Sequence, residues 1–409
     1  MSEVVVTGLG AITPLGGDAV STWQALLNGE SGIRGDVLRE HESSGLPATP
    51  AGVMSVEPAE ALSAAKARRL DRSQQAVLVA AAEAWSDAGT PDVDPDRLAS
   101  VVGTAIGGLQ TLLKEDDVLE AVGPSRVSPR TVPMIIPNAA AALVSIEYSA
   151  KAGSYAPASA CSSGAEALAF GARLIRAGEA DVVIAGGTEA PITPLTVAAF
   201  IQAHALSRST GDPAEASRPF AADRSGFVLG EGAGVVILES AEHAAARGAH
   251  VHAVLAGAGI AADAHHMTAP APDGTGLITA MRKALAQADL DPQDISHVNA
   301  HATGTSIGDV AEARAIRDLF GRITVTAPKA AIGHLLGGAG AVEALLSILS
   351  VEHGVVPPTR NLDERAIDPD VDLDVAVARR DVPQPAVLSN SLGFGGQNVS
   401  LVFAHPDAR

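Results

Sequence analysis

Short β-branched runs that alternate with longer amphipathic stretches limit what this chain can become more than any other feature. Val4-Val5-Val6, Ser100-Val101-Val102, Asp181-Val182-Val183-Ile184 and Val235-Val236-Ile237-Leu238 read as buried strands. Between them, helical periodicity runs over 73–88, 165–177, 277–288 and 310–319. The alternation predicts an α/β fold with largely parallel sheets. A weak internal echo adds to this. Residues 156–175 read as a strand end with Pro157, a small-residue turn holding Cys161, then a helix from Gly164-Ala165. Residues 327–349 repeat the plan with Pro328, His334 and Gly340-Ala341. The repeat predicts two α/β halves, 1–250 and 251–409, with a break around 240–255. No low-complexity linker separates them, so one compact body is expected.

Composition removes several function classes. The chain carries 28 Lys+Arg against 47 Asp+Glu, a net charge of −19, and phosphate backbones would be repelled. No nucleic-acid partner is expected. A single cysteine excludes an intramolecular disulfide and a cysteine-rich zinc site. Ser2 and Glu3 lead straight into the first strand without a basic leader, and the longest uncharged stretches carry Pro, Gln and His. A cytoplasmic protein with no membrane contact is expected.

Three residues stand out chemically. Cys161 lies in Ser159-Ala160-Cys161-Ser162-Ser163-Gly164, where small residues permit a tight turn before a helix. The helix start would lower the thiol pKa and favour thiolate. An inert buried cysteine fits the same residues. His301 sits in Asn299-Ala300-His301-Ala302-Thr303-Gly304-Thr305, and His334 in Gly333-His334-Leu335-Leu336-Gly337-Gly338. Small neighbours leave each room for a ligand, although either alone also suits a satisfied loop histidine. Thr7-Gly8-Leu9-Gly10 follows a strand, but Thr13 stands where a dinucleotide fingerprint needs its third glycine. Gly393-Phe394-Gly395-Gly396 reads as a flexible loop presenting N–H groups.

Taken in order, Ser-Ala-Cys-Ser-Ser-Gly, Asn-Ala-His-Ala-Thr-Gly-Thr, Lys-x-x-x-Gly-His and a closing Gly-Phe-Gly-Gly resemble the β-ketoacyl-[acyl-carrier-protein] synthases, most closely the elongating type II. The match runs nearly end to end. The resemblance implies a thiolase-like five-layer α-β-α-β-α fold from two duplicated halves, usually a homodimer. It implies an acyltransferase that performs a decarboxylative Claisen condensation. Cys161 would hold the acyl chain, and malonyl carrier protein would lose CO₂ and attack it. His301 and His334 would donate hydrogen bonds to the enolate, each ring being held from its other nitrogen. The amides of Cys161 and Phe394 would form a second oxyanion hole. Lys329, with Glu343, would organise the site electrostatically.

The same resemblance assigns Thr303 and Thr305 to pantetheine, and Ile106 and Phe394 to the acyl-pocket wall and gate. In some relatives Asn299, Ala300, Glu343, Ser389 and Asn390 correspond to a monovalent-cation site, which often has two Asn where this chain has Ser389-Asn390. No cofactor of its own is implied, because 4'-phosphopantetheine is carried by the partner acyl carrier protein. That partner is acidic, and Lys66, Arg68, Arg69 and Arg72, with Arg208, form the basic cluster expected to dock it. A solvated helix start is the alternative reading of that cluster. The implied pathway is fatty acid elongation. The alternative is the ketosynthase subunit of a type II polyketide system, paired with a chain-length factor as a heterodimer. A noncatalytic chain-length subunit would have lost the cysteine, which is present here.

Overall fold

The computed structural model describes residues 2–35, 38, 45–363 and 366–408. Eleven strands make the main sheet: β1 (Val4–Ile12), β2 (Leu98–Gly103), β3 (Gly153–Tyr155), β4 (Val182–Glu189), β5 (Gly232–Ser240), β6 (Ala253–Ala262), β7 (His297–Asn299), β8 (Thr324–Thr326), β9 (Asp374–Val375), β10 (Ala386–Gly393) and β11 (Gln397–Ala404). Their spatial order is β9-β8-β7-β10-β11-β6-β1-β5-β4-β2-β3. Each half repeats one topology. Within the first half the order is third, second, fourth, fifth, first. The strands β6, β7, β8, β10 and β11 follow the same order, with β9 added at the outer edge. The halves join where Val5 pairs with Val254 and Val6 with Ala253.

The sheet is mixed, which corrects the expectation of largely parallel pairing. The outer neighbours of each half are parallel. The central ones are antiparallel. The reason lies in burial. Helices cover both faces of the central strands, so all nine residues of β1 are buried. A strand buried on both faces reads as a continuous apolar run whatever its direction.

Six helices complete the layers: α1 (Arg72–Asp87), α2 (Ala139–Tyr148), α3 (Ser163–Arg176), α4 (Thr275–Ala288), α5 (Ser306–Phe320) and α6 (Ala339–His353). Helix α1 starts at Asp71, whose carboxylate accepts the Ser73 N–H while Gln74 takes the Asp71 N–H. Helices α1 and α2 cover the outer face of the first half, and α4 covers that of the second with α5 packed beside it. Helices α3 and α6 lie between the halves and touch strands of both. The stack is therefore α-β-α-β-α. Helix α6 is buried from Ala339 to Val351, as a helix sandwiched between the two halves of the sheet must be.

The Gly8-Leu9-Gly10 motif serves packing. A Cβ at either glycine would run into the Ala84 or Ala80 carbonyl of α1. The second half repeats the device, with Gly257 and Gly259 of β6 against the Ala284 and Ala280 carbonyls of α4. Among the described residues, no helix is long and apolar enough to cross a membrane.

The first turns of α3 and α6 meet backbone to backbone. A Cβ on Gly164 would lie 2.8 Å from the Ala341 nitrogen, and one on Gly340 would lie 2.7 Å from the Ala165 nitrogen. Neither neighbour can yield without moving a central helix. Gly340→Ala should therefore cost about 1–3 kcal/mol of overpacking. The drop would be read as a lower urea midpoint, and an unchanged midpoint would show that the crossing has slack.

Candidate active site

Cys161 occupies a 3₁₀ turn, Ala160–Ser162, that runs directly into α3. Ala160 sits at φ +52°, a left-handed conformation costly for a residue with a Cβ. Neighbouring hydroxyls hold it there. Ser163 Oγ donates to the Ala160 carbonyl at 2.6 Å and accepts the Ser159 N–H at 3.0 Å, while Ser162 Oγ donates to the Ser159 carbonyl at 2.8 Å. The run of small hydroxyl residues around the cysteine is thus the lock of the turn. On the other side, Phe394-Gly395-Gly396 forms the tight turn of the β10–β11 hairpin, and the Phe394 N–H donates to the Cys161 sulfur.

The sequence implied an acidic thiol, and the structure corrects this. Cys161 is buried, and burial pushes its thiol up to about 11. The Lys329 charge and the Phe394 N–H pull it down but do not win, and Glu189 and Glu343 add to the push. The resting group is a thiol.

His301 follows β7 and His334 precedes the short turn Leu336–Gly338 that leads into α6. Their rings meet edge-on, with centroids 5.3 Å apart at 86°. Lys329 Nζ donates to His301 Nδ1 at 3.2 Å and pairs with Glu343. Both members of that ion pair are fully buried. With Nδ1 accepting, the His301 proton lies on Nε2. Burial, the Lys329 charge and, more weakly, His334 hold the His301 pKa far below the usual histidine range. Burial and Lys329 do the same to His334. Both rings are neutral hydrogen-bond donors at physiological pH. His334 departs from expectation in one respect, because its buried Nδ1 has no hydrogen-bond partner among the described residues. Its backbone is pinned instead, with the N–H on the Val228 carbonyl at 2.7 Å and the carbonyl taking the Gly230 N–H at 2.8 Å. Phe227 packs edge-on against its ring at 5.3 Å.

A cavity of about 490 Å³ brings these groups together. Cys161, His301, His334, Thr303, Thr305, Ile106 and Phe394 all line it, whereas Lys329 and Glu343 stand behind His301. Three carboxylates that the sequence reading missed shape its walls. Glu189, at the end of β4, accepts Thr104 Oγ1 at 2.9 Å and the N–H groups of Ala105, Ile106 and Gly337 at 2.6, 3.2 and 3.1 Å. It ties the Ile106 wall to the segment after His334. Glu312 accepts the N–H groups of His301 and Ala302 at 2.8 and 2.7 Å. Asp309 accepts those of Thr303 and Gly304 at 3.1 and 3.0 Å. Burial pushes Glu189 and Glu312 up to about 7 and Asp309 up to about 6, against these hydrogen bonds. The available signal was an i, i+3 acidic pair opening the helix after the Thr-Gly-Thr loop, which puts both carboxylates on one face.

Residues 1–244 match the N-terminal domain of the β-ketoacyl synthases, and residues 252–363 match the C-terminal domain. This chain belongs to the β-ketoacyl synthase family. The 3-oxoacyl-[acyl-carrier-protein] synthase 2 of Mycobacterium tuberculosis is 44% identical over 98% of this chain and 96% of its own length. Its namesake in Synechocystis is 42% identical, covering 98% and 97%. Among solved structures, a β-ketoacyl synthase from Burkholderia phymatum superposes with a TM-score of 0.90 at 33% identity, covering 99% and 100%. A chain of a type II polyketide acyl-carrier protein–ketosynthase complex gives 0.89 at 31%, covering 99% of each. The fold is the thiolase-like one of this family.

The other residues singled out divide. Asn299 donates to the Glu343 carbonyl at 2.9 Å and to Ser347 Oγ at 3.0 Å, which leaves its buried Oδ1 and Glu343 Oε2 without partners among the described residues. Ser389 pairs with Asn299 across β7 and β10, and Ala300 follows directly. Asn390 is occupied, accepting Ser400 Oγ at 2.8 Å and donating to Glu312 at 3.4 Å. Of the basic residues, Arg68 and Arg69 are exposed. Lys66 pairs with Glu147 at 2.7 Å. Arg208 is exposed and contacts His204, a cavity-lining residue, at 3.0 Å. Arg72 is the exception. Buried Glu231 holds it at 2.7 Å and Glu57 at 2.6 Å, so it braces the fold rather than offering a free charge.

The synthase's buried thiol has a measurable signature. Its alkylation by iodoacetamide should keep accelerating up to about pH 11. A plateau near neutrality would reveal a resting thiolate instead.

Proposed function

We propose that this chain elongates acyl chains by condensing malonyl units with an acyl group held on Cys161. The observation that carries the reading is one cavity shared by the thiol and two neutral imidazoles. In the first step the Cys161 sulfur attacks the thioester of an acyl carrier protein. The acyl group moves to cysteine, and the cysteine proton ends on the departing pantetheine sulfur. Thr303 and Thr305, whose hydroxyls lie 3.2 Å apart on the cavity wall, would guide the pantetheine arm.

Malonyl carrier protein then enters. Its carboxylate leaves as CO₂, and the electron pair passes into the thioester enolate. The Nε2–H of His301 stabilises that oxyanion, and the adjoining His334 ring supplies a second donor. Being neutral, both rings donate without surrendering a proton to the carbanion. The carbanion attacks the acyl-cysteine carbonyl. Charge on the resulting oxygen falls to the Cys161 and Phe394 N–H groups. The tetrahedral intermediate collapses to the 3-oxoacyl thioester and a cysteine thiolate, which regains a proton from solvent. Lys329 acts through His301, holding its Nδ1 as an acceptor so that Nε2 keeps its hydrogen. The two partnerless oxygens, Asn299 Oδ1 and Glu343 Oε2, suit a monovalent cation, which would steady Glu343 behind Lys329.

Fatty acid elongation is favoured over polyketide assembly by the identities, 41–44% to the type 2 synthases against 31% to the polyketide complex. A second subunit is supported at the sheet edge. There β3 has a neighbour on one side only, and Val132 and Ile146 are 63% and 76% exposed nearby. A lone free cysteine also suits the reducing cytoplasm.

Incubation with acyl and malonyl carrier-protein thioesters, read by mass, tests the reaction. Cys161→Ala should form no acyl-enzyme, and His301→Ala with His334→Ala should slow CO₂ release by at least about 10²-fold. Persisting acylation or undiminished CO₂ release would overturn those roles. For docking, Arg68→Glu with Arg69→Glu should raise KM for carrier-bound substrate at low salt while leaving kcat near its starting value. An unchanged KM would remove these arginines from the carrier surface.

A further inference from the structure

A second group of ligating side chains lies at the join of the two halves, and none of them lines the cavity. His250 and His252 precede β6, Glu352 is in the last turn of α6, and Asp87 ends α1. His250 Nε2 lies 2.9 Å from one Glu352 oxygen and His252 Nδ1 lies 2.8 Å from the other. The two rings meet edge-on with centroids 4.6 Å apart. Ligand atoms of His250, His252 and Glu352 all fall within 4.8 Å of one another.

We propose that His250, His252 and Glu352 bind a divalent transition-metal ion, with zinc the best fit. Two imidazoles and a carboxylate, with a fourth position open to water, are a donor set that zinc accepts readily. The surroundings are built for ligation. His252 is buried, and its other nitrogen, Nε2, is held by Asp87 at 2.9 Å. A carboxylate on the far nitrogen is what fixes the tautomer and direction of a metal-binding histidine. Asp87 is fixed in turn by the Leu9 N–H at 2.9 Å, and the His252 backbone N–H donates to the Val6 carbonyl at 2.9 Å. His250, 65% exposed and held on Glu352 at 2.9 Å, would turn its ring further inward to ligate. A tetrahedral ion with bonds of about 2.0–2.1 Å needs that closure of its ligand atoms.

Charge points the same way. Asp87 and Glu352 carry two negative charges in a chain of net −19. A divalent ion bound beside them balances both. The site joins α1, the segment leading into β6, and α6, so a bound ion would tie the first half to the second.

The test uses the full chain, alkylated at Cys161 and freed of metal with a chelator, then titrated with zinc sulfate by calorimetry. One equivalent should bind, and that equivalent should disappear in His250→Ala and in Glu352→Gln. Asp87→Asn, which keeps all three ligands, should weaken it about 10–100-fold. Cobalt should give visible d–d absorption in the parent chain and none in His250→Ala. Condensation activity of His250→Ala should match that of the parent. Equal zinc uptake by the parent and His250→Ala, or no uptake by either, would overturn the proposal and leave the cluster as an ion-pair clasp.

Discussion

The contact between the first turns of α3 and α6 governs the rest of the molecule. Two helix starts can touch backbone to backbone only where side chains are absent, and Gly164 and Gly340 supply that absence reciprocally. The crossing lies between the two halves of the sheet, so it fixes the thickness of the middle layer. It also fixes chemistry. Cys161 stands three residues before Gly164, and His334 stands six before Gly340. Bringing the glycines together brings both groups to one cavity without either residue having to reach. His301 arrives from a different direction, at the end of β7, whose neighbours β8 and β10 continue the same sheet.

Burial then sets the electrostatics. The groups are buried, which disfavours every charge among them, and the responses follow from what each group can find. The thiol has few partners and stays protonated. The two imidazoles stay neutral, each keeping one ring N–H to donate. Glu343 meets Lys329 directly, yet burial still pushes its carboxyl up to about 7 against that contact, the desolvation cost of a buried pair. Glu189, Glu312 and Asp309 each accept several backbone N–H groups, so burial raises them without making them orphans. These carboxylates act as staples for loops that have no regular hydrogen bonding of their own. The Ile106 wall and the His301 loop are rigid because an acidic side chain from another element fastens each one.

Much of this was legible in the sequence. Cys161, His301 and His334 stand among small residues, and the structure gathers all three into one cavity. The helices read from periodicity lie within a few residues of α1, α3, α4 and α5. The duplication was visible as a faint echo around Cys161 and His334, and it governs the entire sheet. Strand direction was not legible, because burial on both faces erases the alternation that would have marked it. The loop-fastening carboxylates were missed for a related reason. Glu189 ends an apolar strand and reads as the polar stop of that strand, while the groups it fastens lie about 85 and 148 positions away. Arg72 was misjudged because Glu231, which captures it, is 159 residues distant. The helix start after Cys161 is legible, but the burial of the turn comes from Phe394 and the second half, which local sequence does not announce.

The echo also proves offset from the chemistry it first suggested. Matching Gly164 to Gly340 pairs Ala160 with Leu336 and Cys161 with Gly337. The first pairing is supported by the backbone, since Ala160 at φ +52° and Leu336 at φ +44° are both left-handed residues opening a 3₁₀ turn before a central helix. The counterpart of Cys161 is therefore a glycine, and His334 lies outside the strained turn. A side chain at Gly337 has no room, because its Cβ would crowd Ala105 and the Glu189 carboxylate. The second turn is thus closed by the first half's own loop, through the Gly337 N–H on Glu189. The first turn is met by the second half's hairpin, through the Phe394 N–H on the Cys161 sulfur. One duplicated architecture yields two turns, and the partner each receives decides which carries chemistry. A glycine sealed by a carboxylate leaves nothing to react, whereas a thiol facing an amide and two imidazoles across open space has a substrate-sized gap to work in.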